Sequence, residues 1–144
     1  MNPMKEQDRV LVVDDDEGAR ESLAAALTES GYFVEAVSDA PEALERLATW
    51  PADVVVSDVY MPGMTGVELV QAIRRSGLRQ PVVLMTGHER VADSARANGA
   101  AACLRKPMTL DELVWAIECA LACRRSQARA QAMAARNIQV LAHN

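Results

Sequence analysis

The sequence predicts an α/β fold: an open, doubly wound parallel sheet of five strands flanked by five helices, with a helical extension at the C-terminal end. Three observations carry this. Short apolar runs alternate with amphipathic, capped segments five times over, and strict alternation implies a parallel sheet covered by helices on both faces. The runs are apolar at successive positions, as in Val10-Leu-Val-Val13 and Val54-Val-Val56, which is the pattern of strands buried on both sides. The chain has 144 residues, short of the roughly 200 that a closed eight-fold barrel needs, and right-handed crossovers leave the open sheet.

The elements follow in order. Val10–Val13 is the first strand and ends at three aspartates. Leu23, Ala24 and Leu27 recur at helical spacing between Glu17 and Ser30, and Gly31 follows as the residue that ends the helix. Residues 32–37 are the second strand. Asp39 precedes Ala-Pro-Glu42, an N-cap pattern, and Ala43, Leu44 and Leu47 form one helix face. The third strand, Val54–Val56, ends near Asp58. A loop from Met61 leads to Thr65 and Glu68, a capping box for a helix through Val67, Leu69, Val70 and Ile73 that stops at Gly77. Residues 81–85 are the fourth strand. A short, weakly apolar helix around 91–97 (Val91, Ala92, Ala95) ends at Asn98-Gly99. Residues 101–104 are the fifth strand. Thr109 and Glu112 open the last core-facing helix, through Leu113, Val114, Ala116, Ile117 and Leu121.

Composition narrows the function. The net charge of −5 divides unevenly: residues 1–123 carry −9 and residues 124–144 carry +4, from Arg124, Arg125, Arg129 and Arg136. An acidic body is a poor match for duplex DNA, so no direct DNA binding is expected. No uncharged run reaches ten residues, so no segment is expected to span a membrane. The stretch MNPMKEQDRV lacks the apolar core of a secretory leader. Cys103, Cys119 and Cys123 are an odd count without metal-ligand spacing, read as reduced thiols of a cytoplasmic protein. Alanine supplies 25 residues and aromatics only 3%, so the core must be built from small and aliphatic side chains packed closely.

The chemistry gathers at the carboxyl ends of the strands, where open sheets of this kind bind ligands. The first strand ends in Asp14-Asp15-Asp16, the third in Asp58, the fourth in Thr86, the fifth in Lys106-Pro107. Converging carboxylates repel one another unless a cation neutralises them, and hard oxygen ligands without His or thiolate favour Mg²⁺. A carboxylate nucleophile, a divalent cation, a lysine and a hydroxyl are the parts needed to form an aspartyl phosphate. Each residue alone has a plainer explanation. Acids after a strand are common caps, Thr86 before Gly87 is a turn residue, and Lys106 before proline is solvated surface. The joint occurrence at successive strand ends is what points to chemistry.

Four blocks, Val10-Leu-Val-Val-Asp-Asp-Asp16, Ser57-Asp-Val-Tyr-Met-Pro-Gly-Met-Thr-Gly66, Leu84-Met-Thr-Gly87 and Leu104-Arg-Lys-Pro107, resemble in content and order the signature of two-component response regulator receiver domains (CheY-like, with a flavodoxin-like fold). The resemblance runs from about Arg9 to Cys123. It implies a phosphoacceptor, a phosphorylation-dependent switch rather than an enzyme with a separate substrate. Such a domain takes its phosphoryl group from the phosphohistidine of a cognate histidine kinase or phosphotransfer protein. It implies Asp58 as the nucleophile and a Mg²⁺ held by Asp14, Asp15, Asp58 and the backbone carbonyl of Tyr60. Lys106 would contact the phosphoryl oxygens, with its Lys-Pro bond cis, and Thr86 would swing toward the phosphoryl group. Asp16 is left to helix capping.

The chain also departs from the family. Receivers usually carry Tyr or Phe three residues before the lysine; here the residue is Cys103, read as small packing with redox sensing as the sharper alternative. Met108 stands where Phe is frequent, and the stretch from Thr86 to Lys106 is about two residues shorter than usual. All of these changes fall on the fourth-helix, fifth-strand, fifth-helix face that receivers commonly use for output. Output is therefore expected to leave through Thr86 and a repositioned fourth helix. Tyr60 and His88 flank the route of a hydrolysing water. Tyr60 is expected to slow that water; His88 is read as an exposed loop residue or a participant in dephosphorylation.

The domain reading is 4–123 for the receiver unit and 124–144 for an Arg/Ala-rich helical extension. Ile117, Leu121, Ala128, Ala135 and Ile138 fall near a 3.5-residue spacing, with Arg124 and Gln131 interrupting. This leaves a homodimerisation stalk and a frayed solvated helix as equal readings. A downstream protein partner, or an output domain of a longer regulator, is the expected receiver of the signal. Two other functions compete. One is a phosphatase of the haloacid dehalogenase type using the D-x-D of Asp14 and Asp16, without that class's later acidic loop. The other is a constitutive interaction module, which the complete acid, threonine and lysine set disfavours.

Overall fold

The computed structural model describes residues 7–88 and 90–142. The first six residues, which include the start of the receiver unit at residue 4, and residues 143–144 of the extension lie outside the described residues. Strands and helices alternate as β1 (Arg9–Val13), α1 (Glu17–Glu29), β2 (Phe33–Val37), α2 (Ala40–Thr49), β3 (Val54–Asp58), α3 (Gly66–Arg75), β4 (Val82–Thr86), α4 (Val91–Ala97), β5 (Ala102–Arg105) and α5 (Leu110–Ala142). All pairs are parallel, and the strand order is β2-β1-β3-β4-β5. The order reverses between β1 and β3, so a crevice opens at their carboxyl ends.

The double winding follows from side-chain alternation. Val10 and Val12 of β1, Val54 and Val56 of β3, and Val83 and Met85 of β4 pack with Leu27, Leu113, Ile117 and Leu121 of α1 and α5. Leu11, Val13, Val55 and Leu84 point the other way, onto Ala43, Leu47, Leu69, Val70 and Ile73 of α2 and α3. The three central strands, β1, β3 and β4, are covered on both sides, which explains their lack of polar alternation.

The predicted caps form. Asp16 Oδ2 accepts from Ala19 N at 2.9 Å and Asp39 Oδ1 from Glu42 N at 2.8 Å. Thr65 and Glu68 close both halves of their box. Thr109 Oγ1 accepts from Glu112 N at 3.1 Å. Three strands start one residue later than the periodicity predicts. Tyr32 N is used to close α1 onto Leu27 O, Pro81 has no N–H, and Ala101 N bonds to Val82 O before the β5 ladder begins. The shift places Thr86 and Arg105 as the last residues of β4 and β5. The short α4 has no side-chain cap at Arg90, in keeping with its weak sequence signal.

The helical extension expected after Cys123 continues the last helix: α5 runs 33 residues from Leu110 to Ala142 without a break. Ile117 and Leu121, the first members of the expected dimerisation seam, are 0% and 2% exposed. They are consumed by the chain's own core, so that seam is not available to a partner over its first two turns. At the amino edge of the sheet, Arg124 donates to Asp53 O at 2.8 Å, Arg125 pairs with Asp8 Oδ1 at 2.7 Å, and Tyr32 Oη donates to Glu118. Burial and the Glu118 carboxylate push the Tyr32 phenol well above its usual range.

Candidate functional site

Strand register builds the site. Val13 of β1 lies beside Ser57 of β3, so the next residues, Asp14 and Asp58, emerge side by side at the carboxyl rim. Asp58 lies beside Met85 and Thr86 beside Arg105, which puts Thr86 and then Lys106 on the same rim. The carboxylates of Asp14, Asp15 and Asp58 each offer an oxygen, and these oxygens lie within 4.8 Å of one another. Lys106 Nζ reaches Asp58 Oδ2 at 2.9 Å. The Lys106-Pro107 bond is cis, as the resemblance implied. Lys106 N also donates to Thr86 O at 2.8 Å, which ties the lysine to the end of β4.

Environment separates the three acids. Asp14 is 2% exposed. Its Oδ1 accepts from Asp16 N and its carbonyl accepts from Arg20, both at 2.9 Å. Burial raises the Asp14 pKa above the ordinary carboxylate range; the Asp58 and Asp15 charges add to this, while the Asp16 N–H and Lys106 oppose it. Asp15 is exposed and Asp58 half-buried. Three crowded carboxylates with one ammonium are electrostatically unsatisfied. An all-oxygen donor set of this kind fits a hard cation such as Mg²⁺, which would be held by Asp14, Asp15 and Asp58.

Other expected residues fall as follows. Thr86 is 1% exposed, and its Oγ1 accepts from His88 N at 3.1 Å. Tyr60 and His88 touch edge to face, ring centroids 4.9 Å apart. Cys103 sits inside the core against α3 and α4, not at the rim. Burial pushes its thiol up, which supports packing over redox sensing. Asp16 is spent on the α1 cap and does not converge with Asp14 as a general acid, which removes the geometric basis of the phosphatase reading.

The sequence reading assigned no role to Gly66. A Cβ there would lie 2.5 Å from Asp58 O, and Gly66 N donates to Val59 O at 2.8 Å. Glycine lets the start of α3 approach the backbone of Asp58. The available signal was a glycine directly after a helix N-cap, at the end of the loop that follows Asp58. Arg20, one turn into α1, was likewise unremarked although it anchors the Asp14 backbone.

Comparisons with known proteins agree with this geometry. Residues 10–118 match the family described as the response regulator receiver domain. The response regulator MprA of Mycobacterium bovis BCG is 36% identical over 130 residues, covering 89% of this chain and 56% of MprA. The chain thus spans about half the length of the curated relatives it matches. Among solved structures, the chemotaxis response regulator CheY4 of Vibrio cholerae is similar at 32% identity with a TM-score of 0.74, covering 81% of this chain and all of that one. NtrX of Brucella abortus is similar at 27% identity with a TM-score of 0.81, covering 89% of this chain and 30% of that one. No described helix is long and apolar enough to cross a membrane. By the extent of the family match, the order of its strands and the acidic rim they create, this chain belongs to the response regulator receiver domain family.

Proposed function

We propose that Asp58 accepts a phosphoryl group from the phosphohistidine of a cognate histidine kinase or phosphotransfer protein. The observation that carries this is the convergence of Asp14, Asp15 and Asp58 with the Lys106 ammonium 2.9 Å from Asp58 Oδ2. A carboxylate is already ionised at neutral pH and needs no base. An Asp58 oxygen attacks phosphorus as the phosphorus–nitrogen bond of the donor breaks and the imidazole nitrogen takes the electron pair. Asp14, Asp15, Asp58 and the Tyr60 carbonyl would hold a Mg²⁺ ion, which would supply positive charge to neutralise the phosphoryl oxygens. Lys106 exchanges its Asp58 contact for one with the incoming phosphoryl oxygen, and Thr86 turns its hydroxyl from His88 N toward the same group. Release of that bond moves the start of the β4–α4 loop, so the signal leaves through Thr86 and α4, with Cys103 as a packing residue.

The receiver unit then comprises 4–123 and the extension 124–144. The phosphorylated surface acts on a downstream protein or on an output domain of a longer regulator, in the cytoplasm and without direct DNA contact. The Tyr60–His88 contact partly screens Asp58 from water and lengthens the life of the acyl phosphate; hydrolysis within the same site is the domain's own resetting reaction.

Incubation with acetyl phosphate and Mg²⁺ followed by intact mass measurement tests the reading. A gain of one phosphoryl group that disappears in Asp58→Asn is expected; turnover of phosphate esters, or no gain, rejects it. Tyr60→Asn should shorten the phosphoryl lifetime several-fold, and an unchanged lifetime removes the screening role. Chemical-shift changes on beryllofluoride addition that bypass residues 86–105 would reject the route through α4.

A further inference from the structure

We infer that this chain carries a second ligand site, apart from the acidic rim, that binds a nucleotide. The site is a cavity of about 410 Å³ between the end of α3, the turn into β5 and the middle of α5. Arg74, Arg79, Arg124 and Trp115 line this one space. The inference goes beyond the phosphoacceptor reading and does not rest on it.

Small residues make the cavity. β5 is the outer strand of the sheet and only four residues long, so no further strand covers its free side. The chain entering it contributes Gly99, Ala101 and Ala102, and α5 contributes Ala116 and Ala120. Side chains this short cannot fill the space between the two elements, and a hollow remains where a close-packed contact would otherwise form. Its volume falls within the roughly 300–1,000 Å³ of small-molecule sites. Trp115 stands at its wall and is 73% exposed. In a chain so poor in aromatics, a large ring left in water at the mouth of a cavity offers a flat face for a ligand to cover.

Charge points to what that ligand carries. Residues 1–123 have a net charge of −9, yet among the described residues no Asp or Glu lines the cavity and three arginines do. Arg74 Nη1 donates to Gln80 O at 2.9 Å. A neutral carbonyl fixes the guanidinium without cancelling its charge, and burial pulls the Arg74 pKa down, as desolvation does to a cation. Arg79 makes no hydrogen bond or ion pair among the described residues. Arg124 Nη1 donates to Asp53 O at 2.8 Å and lies 3.9 Å from the Asp53 carboxylate, the one acid near the set. Arg74 and Arg124 are each tethered through a single terminal nitrogen. A guanidinium has five N–H donors, so most of them stay open to an incoming anion while the tether holds the group in place.

The two features together select a class. Guanidinium forks match phosphate oxygens, and an indole stacks on a nucleobase. A bare phosphate would leave the Trp115 ring uncovered, and an uncharged aromatic would leave the arginines unpaired. A nucleotide satisfies both: its base lies on Trp115 and its phosphates among Arg74, Arg79 and Arg124.

Calorimetric titration of the full chain with ADP and with GDP tests the inference, in chelator so that no Mg²⁺ draws the phosphates to the acidic rim. Saturable binding of one nucleotide per chain is expected, weakened by salt and accompanied by quenching of tryptophan fluorescence. Pyrophosphate, adenosine and guanosine each carry half of the chemistry and should bind at least about tenfold more weakly. Arg79→Ala and Trp115→Ala change exposed side chains, so circular dichroism should show the fold retained. The first should weaken nucleotide binding about tenfold or more. The second should remove the quenching and bring the nucleotide's affinity down to that of pyrophosphate. Failure of both ADP and GDP to bind saturably overturns the proposal. So does pyrophosphate binding as tightly as the nucleotides, which would mark a site for anions in general, or nucleotide binding that survives both substitutions unchanged.

Discussion

The two edges of the sheet handle charge in opposite ways. At the amino edge charges of opposite sign are paired: Arg125 faces Asp8 at 2.7 Å, and Arg124 lies 3.9 Å from the Asp53 carboxylate while donating to its carbonyl. At the carboxyl edge three carboxylates crowd within 4.8 Å and one lysine answers them. The first edge is balanced and serves to hold α5 on the body. The second is unbalanced, and that imbalance is what a cation and a phosphoryl group can relieve. The difference teaches that excess like charge, not charge density, distinguishes a ligand site from a structural one.

The contrast can be broken most severely at the carboxyl edge. Asp14→Asn combined with Asp15→Asn should abolish both Mg²⁺ binding by calorimetry and the mass gain with acetyl phosphate. The same variant should melt at a higher temperature than the parent in chelator, because a self-repelling, partly buried set has been relieved. A lower melting temperature in chelator would show that the acids are stabilising and the contrast false.

Gly66→Ala is next in size. The added methyl meets the Asp58 backbone and the Leu84 side chain, at 2.5 and 2.8 Å, so α3 must retreat. A loss of about 1–3 kcal/mol is expected by denaturant titration, together with slower phosphorylation at unchanged Mg²⁺ concentration.

A pH series sharpens the comparison further. The Asp14 pKa in the folded state is raised above the ordinary carboxylate range by burial, so the native state holds that proton to higher pH than the unfolded chain. Its contribution therefore favours folding below the unfolded value and is lost as pH rises through the folded one. In chelator, acidification into that window should raise the melting temperature of the parent relative to Asp14→Asn. Saturating Mg²⁺, which needs the ionised carboxylate, should suppress the difference.

The smallest effect belongs to the balanced edge. Arg125→Ala removes a solvent-exposed pair and should cost less than about 1 kcal/mol, with phosphorylation by acetyl phosphate unchanged. A large loss of phosphorylation would mean that the two edges are coupled.

Much of this was legible in the sequence, for identifiable reasons. Val10–Val13 and Val54–Val56 read as strands because no polar residue interrupts them, and the acids that follow each strand could be assigned to one rim from topology alone. Thr65 with Glu68 announced α3 because the box needs only local geometry. The Tyr60–His88 contact was not legible as a contact, since the residues belong to different loops and meet only when β3 and β4 align. The phase of α5 was legible over Leu113, Ile117 and Leu121, which read as core-facing and do face the sheet. Only their second reading, as the start of a partner-facing seam, was undecided, because a 3.5-residue spacing is satisfied equally by a helix facing a partner and by one facing its own sheet. Gly66 was quoted but unassigned because its requirement is set by a backbone oxygen eight residues earlier in the chain.

The length of α5 has a mechanical consequence. Its 33 residues make a rod of about 50 Å at 1.5 Å per residue, of which about 25 Å projects beyond the Arg125 anchor. A reorientation of 10° at the anchor would sweep the far end through about 4 Å, close to one helical turn of travel. A displacement at the rim too small to alter the domain's outline could thus reach whatever sits at the tip as a stroke.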